Sequence, residues 1–379
     1  MVPNCFNSYC RKDNLIIMQP IQKQRNSNLE LYRIIVMLFI VCHHYVVNSG
    51  LIGELLKEPF SGKSIFFYIF GMWGKTGINC FVLITGYFMC KSSITLRKYL
   101  KLFLEVVFYS IAIYLFFVIT GNEQFSIKYL LLKIIPMRMV DGGFVECFLW
   151  FYLCIPFLTI LVKNLDKKLH GLLVLLYLGI YTLTSTLPGF HVTMNYVTWF
   201  SVLFFIASYI RFYGLLPKIK TSKWGGITLI CMLVSIASVI VAVYAKTALG
   251  KQIWVFRPVT DSNTFLAVVT SISSFMYFKD LKMKYHKWIN TIAASTFGVL
   301  MIHANSDTMR YWLWQKIVDC KDAYYLPYAC LYAIGSVLAI FAICILIDYI
   351  RIHTLEKWTF KYIDRYLNRT TQLKNINQK

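Results

Sequence analysis

The chain has 379 residues, 58% hydrophobic, 17% aromatic and 15% charged, and its 39 Lys and Arg outnumber 17 Asp and Glu for a formal charge of +22. Soluble domains carry about 45–50% apolar and about 25% charged residues. A mean hydropathy of +0.58 over this length therefore excludes a soluble enzyme, a disordered chain and a DNA-binding domain, and leaves an all-α, polytopic transmembrane helix bundle.

In chain order, residues 1–30 are polar, contain Arg11, Lys12, Lys23 and Arg25, and read as a cytoplasmic N-terminal segment. No A-x-A-like exit follows the first apolar run, so that run reads as a retained span and not a cleaved signal. With about 20 mostly apolar residues needed per crossing, about ten spans are predicted, at 31–49, 75–91, 100–119, 144–162, 171–187, 195–212, 226–245, 263–278, 290–305 and 328–350. The membrane domain thus covers 31–350, and 351–379 reads as a cytoplasmic basic tail. If the N-terminus is cytoplasmic, the inner segments hold 27 of the 39 Lys and Arg and the outer loops 12. That bias predicts N-in, C-in, and it makes the basicity a matter of topology with no nucleic-acid partner implied. The 11 cysteines form no C-x-x-C pair, so neither a metal site nor a disulfide framework is expected.

Ionisable side chains within a membrane are costly and mark functional candidates. The first span carries Glu30, Arg33, His43 and His44. Arg33 and His44 are 11 residues apart, which at about 100° per residue is three turns plus about 20°, so both share one stripe about 16 Å apart along the axis. Glu30, three residues before Arg33, is placed to pair with it, and His43 points about 100° away. A guanidinium suits a donor phosphate or an oxyanion, whereas an imidazole suits deprotonation of a hydroxyl. Snorkelling by Arg33 and packing by the histidines is the structural alternative.

The pattern Arg33-x10-His44 resembles the first-span signature of the acyltransferase 3 family, bacterial membrane O-acyltransferases of cell-surface glycans. Gly74-Lys-Thr-Gly77-Ile-Asn-Cys80-Phe81-Val-Leu-Ile-Thr85-Gly86-Tyr87 resembles the family's second helix, G-x-x-G-V-x-x-F-F-x-x-S-G-Y, with Thr85 for Ser and Cys80 for the first Phe. Arg97-Lys98-Tyr99-Leu100-Lys101 resembles its R-R-x-x-R run, with two lysines in place of arginines. Leu149-Trp150-Phe151 before Pro156 and Phe297 to His303 resemble two later segments, whereas about 165–285 matches only as generic spans.

The resemblance implies transfer of an acyl group, most often acetyl, from cytoplasmic acyl-CoA as donor substrate to a hydroxyl of a surface or lipid-linked polysaccharide in the bacterial cell membrane. No permanently bound cofactor is implied. His44 and Arg33 become the catalytic residues, and Arg97, Lys98 and Lys101 the cations for the CoA phosphates. His303, with Asp307 one turn on to orient it, and Trp150 become the acceptor-glycan contacts. Gly74, Gly77 and Gly86 are read as packing positions, and Glu30 and Glu105 as ion-pair partners, Glu105 with Lys101 or a cation from another helix. An exporter or flippase, or a polysaccharide polymerase, stands as the alternative. Symmetric repeats would favour the exporter and none is detected.

Overall fold

The structure, a computed structural model, describes residues 26–376 except Asp141, 188–191 and Gln252, with side chains described through Tyr366. Most of the 1–30 segment therefore lies outside the described residues. The described chain is all-helical, with 76% helix and no strands. Among the described residues, eight helical segments are long and apolar enough to cross a membrane.

The main helices are α1 (Ser27–Val47), α2 (Gly62–Gly71), α3 (Gly74–Met89), α4 (Leu96–Ile119), α5 (Phe144–Asn164), α6 (Lys167–Thr186), α7 (Tyr196–Tyr213), α8 (Thr221–Thr247), α9 (Phe265–Lys279), α10 (Lys287–Ala294), α11 (Thr296–His303), α12 (Ala329–Arg351) and α13 (Lys357–Ile376), with shorter helical turns at Leu51–Leu55, Ile127–Ile134, Asp307–Tyr311 and Cys320–Ala323. The two shortest predicted spans are the two that fall below crossing length: α9 has 15 residues, and the α10–α11 pair breaks at Ser295. α3, α5, α7 and α9 all run antiparallel to α1, with Gly74 against His43, Asn79 against Trp199, Phe81 against Phe144, Tyr213 against Leu165 and Asn28 against Phe278, so one end of the bundle gathers the start of α1 and the finish of α3, α5, α7 and α9. The charge bias makes this the inner end.

One expectation changes, and one segment gains a structure. The region 50–74 is not an outer loop throughout, because residues 62–71 form α2, capped by Ser61 accepting from the Ser64 amide, and lead through a bend at Met72 and Trp73 into α3. The apolar run Ile65 to Phe70 supplies a buried face there, too short to count as a span by itself. The segment after Arg351 also stays helical, running on through a wider turn at Ile352–Glu356 into α13.

Burial separates the centre from the rim. The α2–α3 segment is 78% buried over its crossing window, whereas α6 is 11% buried. α3 packs against α1, α7 and α9, and its glycines make that possible. A Cβ on Gly74 would stand 2.2 Å from His43 Cγ, one on Gly77 2.9 Å from Ile40 Cγ1, and one on Gly86 3.0 Å from Ala207 Cβ. The rim helices instead turn Phe157, Ile160, Leu229 and Ile230 outward, the apolar belt that a bilayer covers.

Candidate active site

α1 delivers two imidazoles to the outer half of the bundle. His43 Nδ1 lies 2.6 Å from the Gly71 carbonyl, and the close approach of Gly74 seats its ring against α3. His44 Nδ1 lies 2.9 Å from His303 Nε2 on α11, 259 residues away in sequence. His303 is fully buried, and its Nδ1 lies 2.6 Å from the Val299 carbonyl.

These contacts fix the tautomers of a neutral pair. A carbonyl only accepts, so His303 Nδ1 carries hydrogen and His303 Nε2 accepts. His44 Nδ1 must then donate, which leaves His44 Nε2 with its lone pair. His43 is oriented the same way by Gly71, with Nε2 left over. Both rings line a cavity of about 430 Å³ enclosed by α1, α3, the starts of α5 and α7, and the end of α11. Its floor is apolar, with Met37, Ile40, Ile78 and Phe81, while Lys75, Glu146, Tyr196, Asn305 and Arg310 bring polar groups to its wall. Lys75 Nζ is held by Tyr196 Oη at 2.6 Å, and Asn305 Nδ2 donates to the Met301 carbonyl at 3.1 Å.

The expected partners fall differently. Arg33 pairs with Glu30 at 3.0 Å, as the spacing suggests, but it does not line this cavity. Its guanidinium sits over the Phe81 ring, 5.9 Å from the centroid, so Phe81 stands between Arg33 and the histidines. Sharing a helix stripe did not place the two groups in one chamber, because an aromatic ring from α3 fills the interval. Asp307 does not orient His303: its side chain is 97% exposed and pairs with Arg310. The helix ends at His303, and Ser306 caps a new turn by accepting from the Met309 amide, so the one-turn spacing of His303 and Asp307 crosses a break. Trp150 is half-buried on α5 away from the cavity, and Glu146, one turn earlier, lines the wall in its place.

At the inner end, Arg97 makes a two-pronged pair with Asp364, at 2.7 Å and 3.1 Å, and stacks on Phe360 with 4.8 Å to the centroid. Lys101 pairs with Glu356 at 2.5 Å, and Lys98 bonds Ser92 Oγ and the Ser93 carbonyl, both at 2.7 Å. Glu105 pairs with Arg351 of α12 at 3.0 Å, the inter-helix alternative to Lys101. Two of the three cations expected to take donor phosphates thus already hold carboxylates supplied by the helical C-terminal segment.

The model of the acyltransferase 3 family, an acyltransferase domain, matches residues 26–348. This chain belongs to that family. No curated protein and no solved structure matches it. The chain is a multi-pass membrane acyltransferase, and the His44–His303 cavity lies inside the matched region. The sequence places His43 off the Arg33–His44 stripe and assigns it no role, and it does not foresee the pairing of His303 with His44. The adjacency of His43 to His44 was the one available signal for the first. Nothing in the sequence signals the second.

Proposed function

We propose that the chain moves an acyl group, acetyl in the first instance, from cytoplasmic acyl-CoA to a hydroxyl of a cell-surface or lipid-linked polysaccharide in the bacterial cell membrane. The supporting observation is an imidazole with its Nδ1 tied to a second buried imidazole and its Nε2 lone pair unspent, on a cavity with room for reacting groups. His44 Nε2 accepts the proton of the acceptor hydroxyl as the oxygen attacks the thioester carbonyl. The C–O bond forms, the C–S bond breaks, and the CoA sulfur leaves with the proton that His44 had taken. Lys75 and Arg310, on the cavity wall, favour the negative charge that develops on the carbonyl oxygen. Arg33, on the inner side of Phe81, meets the arm of a donor arriving from the cytoplasm.

The test is the O-acyl ester content of surface polysaccharide, read by NMR before and after mild alkali, in strains carrying wild-type, His44→Gln or His43→Gln protein at equal membrane levels. A general base contributes about 10²–10⁴-fold, so His44→Gln should leave no detectable ester and His43→Gln a reduced amount. Unchanged ester in His44→Gln removes His44 from the chemistry, and loss confined to His43→Gln transfers the role to the neighbouring ring. Purified protein should also release CoA from acetyl-CoA only when glycan is present, which an exporter or polymerase would not do.

A further inference from the structure

We propose that Arg211 and Lys91 form a phosphate seat at the inner end of the bundle, and that the phosphates it takes belong to the acyl donor; this rests on the acyl-transfer reading above. The seat is built from the motif at the end of α3. A Cβ on Gly86 would stand 3.0 Å from Ala207 Cβ and 3.2 Å from Phe204 Cα, so only hydrogen there lets α7 come this close. One turn beyond Ala207, Arg211 therefore lies over Tyr87, its Cζ 4.5 Å from the ring centroid and its Nη1 donating to Tyr87 Oη at 2.7 Å. Arg211 Nε is buried and has no hydrogen-bond partner among the described residues. Lys91, one turn beyond Tyr87, has its Nζ 5.6 Å from the Phe212 ring.

What separates this cluster from the buried and inner-end arginines and from Lys101 is the missing anion. Arg33, Arg97, Arg310 and Arg351 each pair with a carboxylate, as does Lys101. No carboxylate among the described residues pairs with Arg211 or Lys91. A half-buried guanidinium that holds only a phenol and the face of its ring keeps an uncompensated charge and an unused donor. A guanidinium fork with an ammonium beside it matches a phosphate or diphosphate. The position suits a donor too: α3 rises about 20 Å between Gly74, which touches His43, and Tyr87. That is the kind of gap a long thioester arm crosses with its phosphates anchored at one end. Arg97 and Lys101, by contrast, are already neutralised by Asp364 and Glu356. A phospholipid headgroup offers the same chemistry from a different source, and the test separates the two.

Full-length protein in phosphatidylcholine nanodiscs would be titrated with CoA and with adenosine 3′,5′-bisphosphate, using wild type, Arg211→Gln, Arg211→Lys, Lys91→Gln and Arg97→Gln, with thermal unfolding confirming that each variant is folded. Hydrogen bonds to charged groups contribute about 1.5–3 kcal/mol, so Arg211→Gln should weaken CoA binding about 10–100-fold. Arg211→Lys should cost less, because it keeps the charge and loses the fork, and Lys91→Gln should also weaken binding. Should Arg211→Gln not fold, the Arg211→Lys and Lys91→Gln affinities decide, and wild-type affinity in both overturns the seat. Wild-type CoA affinity in Arg211→Gln, or a loss confined to Arg97→Gln, also overturns the seat while ester formation by wild type leaves the acyl-transfer reading standing. Stabilisation by added phosphatidylglycerol that depends on Arg211, without nucleotide binding, gives the seat to lipid and overturns the donor assignment. Wild-type protein that neither binds CoA nor forms ester fails both readings together.

Discussion

Two polar clusters are sunk into this bundle, and they are built on opposite principles. Near the inner end, Arg351 holds Glu105 at 3.0 Å, Asp348 at 2.8 Å and Glu356 at 3.1 Å, Tyr109 donates to Asp348 at 2.8 Å, and Lys101 brings a second positive charge to Glu356. The space beside them is about 70 Å³, room for a water or two. In the outer half, three neutral imidazoles share one inter-ring hydrogen bond and two carbonyl acceptors, and two of the rings face about 430 Å³. The first cluster spends its charges on one another, with only Asp348 Oδ2 left without a hydrogen bond, and leaves little room, as a fastening does. The second leaves ring nitrogens unspent beside a chamber, as chemistry requires. Burial and ionisable character alone do not distinguish the two; saturation of the partners does.

Removing the cation from the first cluster should give the largest stability change. Arg351→Met leaves carboxylates without their guanidinium in a water-poor setting, and breaking a buried pair this way costs about 3–5 kcal/mol. Thermal unfolding in detergent should show it, with ester formation per folded molecule close to wild type. An unaltered melting temperature with lost activity would erase the contrast between fastening and chemistry. A subtler intervention acts on the second cluster. His303→Leu removes the acceptor that holds His44 Nδ1, whereas His303→Gln can offer a carbonyl oxygen in its place. Misplacing a catalytic group costs on the order of 10²-fold, so His303→Leu should fall that far in turnover and His303→Gln substantially less, at similar thermal stability. Equal losses in both variants would mean that His303 serves packing alone.

The sequence carried the parts of this architecture that depend on local order. Composition dictates helices that cross a membrane, and the spacing of Gly74 and Gly77 foretells the tight seam of α3 on α1, because small residues three apart share a helix face. His44 was also legible, as an ionisable group where none is cheap. Contacts between distant segments were not. Nothing local ties His44 to His303 or Arg97 to Asp364, since each pair is closed by packing of helices more than 250 residues apart. Two local inferences also misled for physical reasons. The stripe shared by Arg33 and His44 ignores Phe81, which another helix inserts between them. The one-turn spacing of His303 and Asp307 assumes a continuous helix, and Ser306 restarts it.

A third polar cluster, on the outer cap, separates pairing from burial in the membrane. Glu54 is buried in the short helical turn after α1, where Lys57 Nζ approaches to 2.5 Å, Lys321 Nζ to 3.3 Å, and Tyr325 donates its hydroxyl to the same carboxylate. It thus ties the connection between α1 and α2 to the segment before α12. Lys57, then Tyr325, hold the carboxyl down at about 2 from an ordinary 4.5. A carboxyl with a depressed pKa stabilises the fold in full above its unfolded value, and that contribution fades as pH falls from 4.5 towards 2. Glu54→Gln should accordingly melt lower than wild type at pH 7 by a small margin, and the gap should close as pH drops through that window. Water reaches this site, so its pairs are screened and the loss should be well below that of Arg351→Met. A gap as large as the Arg351 effect, or one that persists at pH 2, would show that saturation alone, irrespective of the membrane, sets the worth of a fastening.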